Sequence, residues 1–221
     1  MKQSFNHVWE DIHKECEWGK YPSESVVRFI ARNYYSQERQ KIKILDFGCG
    51  GGAHTWFLAR EGFDVYAFDG SESAVRKTGN YLKNEGGLAC HLAVMDGIDL
   101  KYDGDFFDCV IDNATVYSNL YENICKMYEE IFRVLKKGGR LYTSCFGTET
   151  QGYGTGDRIE DGTYENIEAG VLSGRGMAHF FSKQQLEDTL ARTGYKGILI
   201  DTMVYTDLGT KVEMLLAQSE K

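Results

Sequence analysis

One proline in 221 residues, Pro22, leaves no proline-rich tract, and no internal repeat or low-complexity stretch is present either. Six cysteines (16, 49, 90, 109, 125 and 145) form no Cys-x-x-Cys pair. Neither they nor His7, His13 and His91 fall at ligand spacing, which argues against a metal site. Scattered thiols also argue against a disulfide framework and for a reducing cytoplasm. Cys49, Cys109 and Cys145 fall where strands or turns of a core are expected, where free cysteine packs as a small apolar group. No apolar run approaches the ~20 residues of a membrane-spanning helix. The first residues, with Glu10 and Asp11 and no apolar stretch, do not read as a secretory signal. Cations are in deficit, 25 Lys and Arg against 33 Asp and Glu, for a net charge of −8 and a pI near 5.2. Neutralising a phosphate backbone needs a basic face, so neither a nucleic-acid nor a membrane partner is expected.

What remains is the make-up of one globular domain. At 221 residues with 42% hydrophobic content, the chain can bury a single sizeable core and is short for two. Two helices are expected at 4–16 and 23–36, with Ser23 as a cap behind Pro22. From Lys41 strands and helices alternate: strand 42–47, helix 53–61, strand 64–69, helix 71–84 and strand 89–95. Strand 106–112, helix 119–136 and strand 139–146 follow. The 119–136 helix sets Leu120, Ile124, Met127, Ile131 and Val134 on one stripe, as a helix covering a sheet should. Such alternation predicts an α/β, doubly wound, mostly parallel sheet. Residues 147–176 break the pattern with eight glycines and read as a long loop, either a surface insertion or a lid. Ser182 and Gln185 then form a capping-box pattern, with Gly194 closing that helix. Strands at 196–205 and 211–218, joined by Thr206-Asp207-Leu208-Gly209, would form an antiparallel hairpin. The organisation is thus a single domain 1–221: a helical cap (1–40), a core (41–146), a Gly-rich loop or lid (147–178), and a C-terminal helix and hairpin (179–221).

The most informative stretch is Ile44 to Gly52, an apolar run ending in Asp46 and passing into glycines at 48, 50, 51 and 52 before a helix. Glycines there let backbone approach a ligand closely, while the helix start offers unpaired N–H groups. Gly48, Gly50 and Ala53 match G-x-G-x-x-G/A, and Asp69 lies about where a ribose-binding acid would fall, so NAD is one reading. Asp46 opposes it, because a carboxylate two residues before the first glycine would repel a pyrophosphate. S-adenosylmethionine, with a sulfonium, an ammonium and a ribose but no phosphate, tolerates that acid.

Asp46-Phe47-Gly48-Cys49-Gly50-Gly51-Gly52 and Val65-Tyr66-Ala67-Phe68-Asp69-Gly70-Ser71 resemble the first two signature motifs of class I S-adenosylmethionine-dependent methyltransferases. Val94-Met95-Asp96-Gly97, Phe107 to Asn113, and Val134 to Leu141 match further motifs in order, so the similarity covers about residues 42–146 and continues more weakly beyond. The type it resembles is the bacterial small-molecule enzyme. It implies a seven-stranded sheet and S-adenosyl-L-methionine as cofactor. Asp69, followed by Gly70 and Ser71, would take the ribose hydroxyls, Asp96 and Gly97 the adenine edge, and the backbone around Gly48, Cys49, Gly50, Asp112 and Asn113 the methionine portion. Asp112 taken alone also reads as a helix cap. Tyr21, within Trp18 to Glu24, would reach the cofactor carboxylate or else pack as an aromatic staple.

Methyl transfer to a small-molecule acceptor needs alignment and exclusion of water more than covalent help. A base is required only if the acceptor must lose a proton, and His54, Tyr117 and His179 are the candidates, with Tyr117 and His179 expected on the acceptor wall. That pocket would lie between residues 1–36 and 147–179. Alternatives are an NAD-dependent oxidoreductase or a non-catalytic cofactor-binding protein. The acceptor atom and oligomeric state are left open. A strand-end carboxylate such as Asp69 is expected to matter little for folding.

Overall fold

The computed structural model describes residues 4–221; residues 1–3 of the expected cap lie outside it. Seven strands form one sheet: β1 (Lys43–Phe47), β2 (Asp64–Asp69), β3 (His91–Val94), β4 (Phe107–Asn113), β5 (Leu135–Phe146), β9 (Lys196–Asp207) and β10 (Thr210–Glu220). Their order is β3-β2-β1-β4-β5-β10-β9. The first five run parallel, whereas β10 is antiparallel to both β5 and β9. The terminal hairpin turns at Leu208-Gly209, both with positive φ (46° and 81°), a turn whose twist suits a two-residue hairpin. The expected sheet is therefore present. β1 lies third in that order, between β2 and β4, pairing Asp46 with Ala67 on one side and Ile111 on the other. Here the strand order reverses, and a crevice opens beyond the carboxyl ends.

Helices cover both faces. On one, α5 (Tyr121–Val134) and α6 (Lys183–Thr193) bury Ile124, Met127, Tyr128, Ile131 and Leu190 against Leu45, Phe47 and Val110. On the other, α2 (Glu24–Tyr34) and α3 (Ala53–Arg60) bury Val26, Ile30 and Leu58 against Ile44 and Ile111. Leu120 does not join the predicted stripe: α5 begins one residue later and leaves it at the surface. α4 (Glu72–Asn84) is capped by Ser71, whose Oγ accepts from Ala74 N–H at 3.1 Å. Ser182 caps α6 in the same way, accepting from Gln185 N–H at 3.1 Å, and Gly194 closes it at φ 113°.

Two expectations change. The Gly-rich stretch contains a small antiparallel sheet of β6 (Asp157–Glu160), β7 (Thr163–Glu165) and β8 (Ala178–His179), not a structureless loop. It has its own core of Ile167, Leu172, Ala178 and Phe180, packed with Tyr117. Frequent glycines mask that apolar set because they supply the tight turns between very short strands. At the N-terminus, α1 (Val8–Glu15) is shorter than expected. It is fastened across the start of α4 by Glu10, whose carboxylate accepts from Ser71 Oγ (2.5 Å), Ser73 Oγ (2.7 Å) and Ser73 N–H (3.2 Å). These donors, the Ser71 hydroxyl foremost, hold its pKa down to about 2. α1 is thereby laid over the crevice.

Ile131 is fully buried between α5 and the sheet, whereas Leu199 on edge strand β9 is 61% exposed. Urea unfolding of Ile131→Ala should show a loss of about 2–5 kcal/mol, from lost transfer energy plus a cavity. Leu199→Ser should stay within roughly 0.5 kcal/mol of wild type.

Candidate functional site

The crevice is a cavity of about 570 Å³. Its floor is the turn between β1 and α3, where Gly48, Gly50 and Gly52 all take positive φ (75°, 51° and 85°). A Cβ on Gly48 would stand 2.2 Å from Thr115 Cγ2, and one on Gly52 2.9 Å from Thr78 Cγ2. Side chains are thus barred both by conformation and by space. The turn is anchored by Cys49 N–H donating to Phe68 O at 2.8 Å.

Beneath the turn lie three carboxylates on adjacent strands. Asp46 is 1% exposed and accepts from Thr55 Oγ1 at 2.5 Å. Burial, reinforced by the charges of Asp69 and Asp112, pushes its pKa up to about 7. Asp112 is fully buried; it accepts from Thr115 N–H (3.0 Å), Val116 N–H (3.3 Å) and Thr143 Oγ1 (2.5 Å). Its pKa rises to about 6, again through burial. Asp69 accepts from Gly50 N–H and Ser71 N–H, each at 2.9 Å, and burial raises its pKa as well. In their ionised forms these acids back the floor with negative potential, favourable to a cationic ligand and hostile to a phosphate.

Of the residues singled out from sequence, Tyr21, Gly48, Cys49, Gly50, Asp69, Gly70, Asp96, Gly97, Asn113 and Tyr117 line this cavity. Asp96 is engaged by the N-terminal segment: Ser4 N–H donates to its Oδ2 at 2.7 Å and Ser4 Oγ to its Oδ1. Asn113 Oδ1 accepts from Ser23 Oγ and Ser144 Oγ, both at 3.2 Å. Ser23 therefore faces the site and does not cap α2 with its side chain. Tyr21 stands at the mouth, 80% exposed and edge-on to Trp56.

Asp46, Ser71, Asp112 and His179 do not line the wall. Asp46 and Asp112 lie beneath the floor and organise it through hydroxyl and backbone donors. Ser71 is spent on capping α4 and on Glu10. His179 requires the largest correction. It is fully buried, its Nδ1 2.7 Å from Thr163 Oγ1, its ring stacked on Tyr121 and edge-on to Phe181. Burial pushes its pKa down, so it is a neutral packing residue of the small sheet. Tyr117 is on the wall, yet burial pushes the pKa of its hydroxyl up, which favours the protonated form, a hydrogen-bond donor, over a base. His54 is also on the wall, with Nε2 accepting from Ser23 N–H at 3.2 Å and a pKa lowered by burial to about 4.

Sequence reasoning expected a helical cap over the site but did not single out the residues that form the roof. Phe5 covers Gly70, where a Cβ would stand 2.2 Å from the Phe5 ring. Trp9, His13 and Trp18 form a three-ring cluster with every pair of ring centroids 5.6–6.2 Å apart. His13 lies over Gly50, and its buried Nδ1 has no partner among the described residues. Trp9 is pinned by Nε1 donating to Ser118 Oγ at 2.6 Å. The usable signal was the i, i+4 spacing of Trp9 and His13 on one face of α1.

The buried acids carry a pH signature. In the ligand-free protein the folded-state pKa of Asp46 lies above its unfolded value of about 3.9. The protonated form is thus favoured by folding: this contribution is complete below about pH 4 and is lost as pH rises through about 7. Asp46→Asn cannot ionise, so its stability relative to wild type should increase between pH 4 and pH 8. Denaturant midpoints of both proteins across that range measure it; a constant difference would contradict the assigned burial of charge.

Comparison with known proteins places this geometry. A family model described as a methyltransferase domain matches residues 38–192. Phosphoethanolamine N-methyltransferase 1 of Zea mays is 30% identical over 105 residues, covering 47% of this chain and 21% of its own. Methyltransferase phqN of Penicillium fellutanum is 27% identical over 203 residues, or 87% of this chain and 56% of its own. The chain thus spans about a fifth and about half of these two relatives. A solved S-adenosylmethionine-dependent methyltransferase of Methanosarcina mazei superposes with a TM-score of 0.72 at 24% identity, covering 87% of this chain and 96% of that one. With seven strands in this order, a glycine turn over buried acids, and a family match across most of its length, the chain belongs to the methyltransferase domain family.

Proposed function

We propose that this chain transfers a methyl group from S-adenosyl-L-methionine to a small-molecule acceptor by direct S_N2 displacement. The observation that carries the reading is Asp69, held by Gly50 and Ser71 N–H groups at the edge of a glycine floor backed by two further buried carboxylates. The cofactor fits what is there. A cradle in which a Cβ at Gly48 would collide receives backbone-close atoms, a buried acid cluster suits a sulfonium and an ammonium, and the orphaned His13 Nδ1 lacks a partner. The same acids count against NAD, whose pyrophosphate would lie above them.

In this reading Asp69 accepts the ribose hydroxyls. Backbone N–H groups of Gly50, Ser71 and Gly70 engage it, and a carboxylate has about four acceptor positions, so capacity remains. Asp96 and Gly97 meet the adenine edge, with the exocyclic amine sharing Asp96 with Ser4 or displacing it. Backbone at Gly48, Cys49 and Gly50, together with Asn113, meets the methionine portion, and Tyr21 closes the mouth. The sulfonium supplies a good leaving group when bound, so the chain's work is to align and to exclude water. The roof of Phe5, Trp9, His13 and Trp18 does the latter, with residues 1–40 as cap and the small sheet within 147–178 as facing wall. No neutral-pH base is needed on an acceptor that arrives with its lone pair free. Six unpaired cysteines support a cytoplasmic location, and the acidic charge supports a small-molecule partner over nucleic acid.

Calorimetry tests it. S-adenosylhomocysteine should bind and raise the melting temperature by mass action, whereas NAD should do neither. Asp69→Ala should weaken S-adenosylhomocysteine by roughly 1.5–3 kcal/mol. It should also cost the fold about 1–3 kcal/mol, because Gly50 and Ser71 N–H groups lose their acceptor. That second effect departs from what a lone strand-end acid would suggest. Wild-type affinity in Asp69→Ala would rule out the ribose role.

A further inference from the structure

The cavity has a second half that the cofactor assignment does not use. Away from the glycine floor its wall is made of Trp9, Tyr117, Phe146, Leu172 and Arg175, contributed by α1, the turn after β4, the end of β5 and the small-sheet region. Among the described residues on the cavity wall, Arg175 is the one arginine or lysine. Its guanidinium lies 4.9 Å from the centroid of Trp18, and no described carboxylate, carbonyl or hydroxyl accepts from it. Several arginines of this acid-rich chain pair with carboxylates, as Arg39 does with Glu61 (2.6 Å) and Arg133 with Glu130 (2.8 Å), whereas Arg60 stacks on Trp56 outside the cavity; among the described residues, Arg175 is the one that stacks on an indole within it. A guanidinium stacked on an indole face keeps its N–H edge free, and that edge is shaped for bidentate pairing with a flat anion.

The turn carrying Arg175 is held in place. Gly174 and Gly176 flank it at φ 72° and 74°, and a Cβ on Gly176 would stand 2.8 Å from Val8 Cγ1 and 3.1 Å from Asn6 Nδ2. The turn therefore docks closely on the start of α1. Ser118 joins the same elements, accepting from Trp9 Nε1 at 2.6 Å and donating to the Met177 carbonyl at 3.1 Å. Between these anchors the wall is aromatic and apolar, with Tyr117 and Phe146 edge-to-face at 4.8 Å. The Tyr117 hydroxyl has no described hydrogen-bond partner and feels the Arg175 charge, which puts a second donor in the same region. The acids on the cavity wall are accounted for: Asp69 and Asp96 face the floor half, and Asp207 sits on an exposed strand end, where water screens it.

We infer that the methyl acceptor is a small anion with a flat apolar body, its charged end received by Arg175 and the Tyr117 hydroxyl and its body lying between Trp9, Phe146 and Leu172. This rests on the methyl-transfer reading and names its substrate class. Carboxylate, enolate and phenolate share this chemistry, and such an acceptor needs no protein base when it arrives deprotonated. A cationic amine acceptor would instead meet an unpaired guanidinium.

The test uses the full chain saturated with S-adenosylhomocysteine and three probes of one shape, benzoate, benzamide and benzylammonium, titrated by ligand-observed NMR. Benzoate should bind at least tenfold tighter than the other two. Arg175→Met should abolish that ranking and Arg175→Lys should restore part of it, while affinity for S-adenosylhomocysteine stays within about threefold in both variants. Equal binding of the three probes, preference for benzylammonium, or a ranking kept in Arg175→Met would overturn the inference. So would a tenfold loss of S-adenosylhomocysteine affinity in Arg175→Met with the ranking unchanged, which would give Arg175 to the cofactor carboxylate. Failure of the wild-type chain to bind S-adenosylhomocysteine would be a different result; it removes the methyl-transfer reading and this inference with it.

Discussion

Burying a carboxylate is costly unless donors surround it, and here Asp46, Asp69 and Asp112, all buried, lie at the ends of three neighbouring strands. Each is satisfied by a different part of the chain, Thr55 from α3 for Asp46, backbone N–H groups for Asp69, the turn after β4 together with Thr143 for Asp112. Those bonds tie the glycine turn, the first helical turn and the β4 exit into one rigid floor. Two of the three acids, Asp46 and Asp112, do not line the cavity. They set the shape and potential of the cavity floor from beneath, and it is their burial there that raises their pKa values.

The roof depends on a second, smaller device. Glu10 stands at the start of α4, where unpaired N–H groups and the helix dipole favour an anion, and there it also collects two serine hydroxyls. One carboxylate therefore fastens a short helix of eight residues that could not persist alone. With α1 fixed, Trp9 and His13 are carried over the floor, and the Gly176 turn can dock against Val8 and bring Arg175 to the wall. Cap and small sheet thus meet through contacts between backbone and small side chains, an arrangement that completes the cavity's far half against Tyr117 and Phe146 at the ends of β4 and β5.

Much of the core was legible in the residues. Alternation, the final turn at Leu208-Gly209 and the helix end at Gly194 depend on local spacing and on backbone conformations that few residues tolerate, so they can be read without neighbours. Ile44 to Gly52 belongs with them, because a strand, a glycine turn and a helix start are successive in sequence. The small sheet was not legible, since strands of two to four residues have no period to detect and their apolar partners, Ile167, Leu172 and Phe180, are interrupted by glycines.

What the sequence determined by itself was the sheet, the glycine cradle and the acids at its strand ends, because each follows from short-range pattern and the chemistry of single residues. Tertiary structure alone decided which of those acids touch the cavity and which lie beneath it. It also withdrew His179 from the site, placing its ring between Tyr121 and Phe181, and brought Trp18 and Arg175 together across more than 150 positions of chain. The physical reason is that burial and facing are properties of packing between distant segments, and no local spacing carries that information.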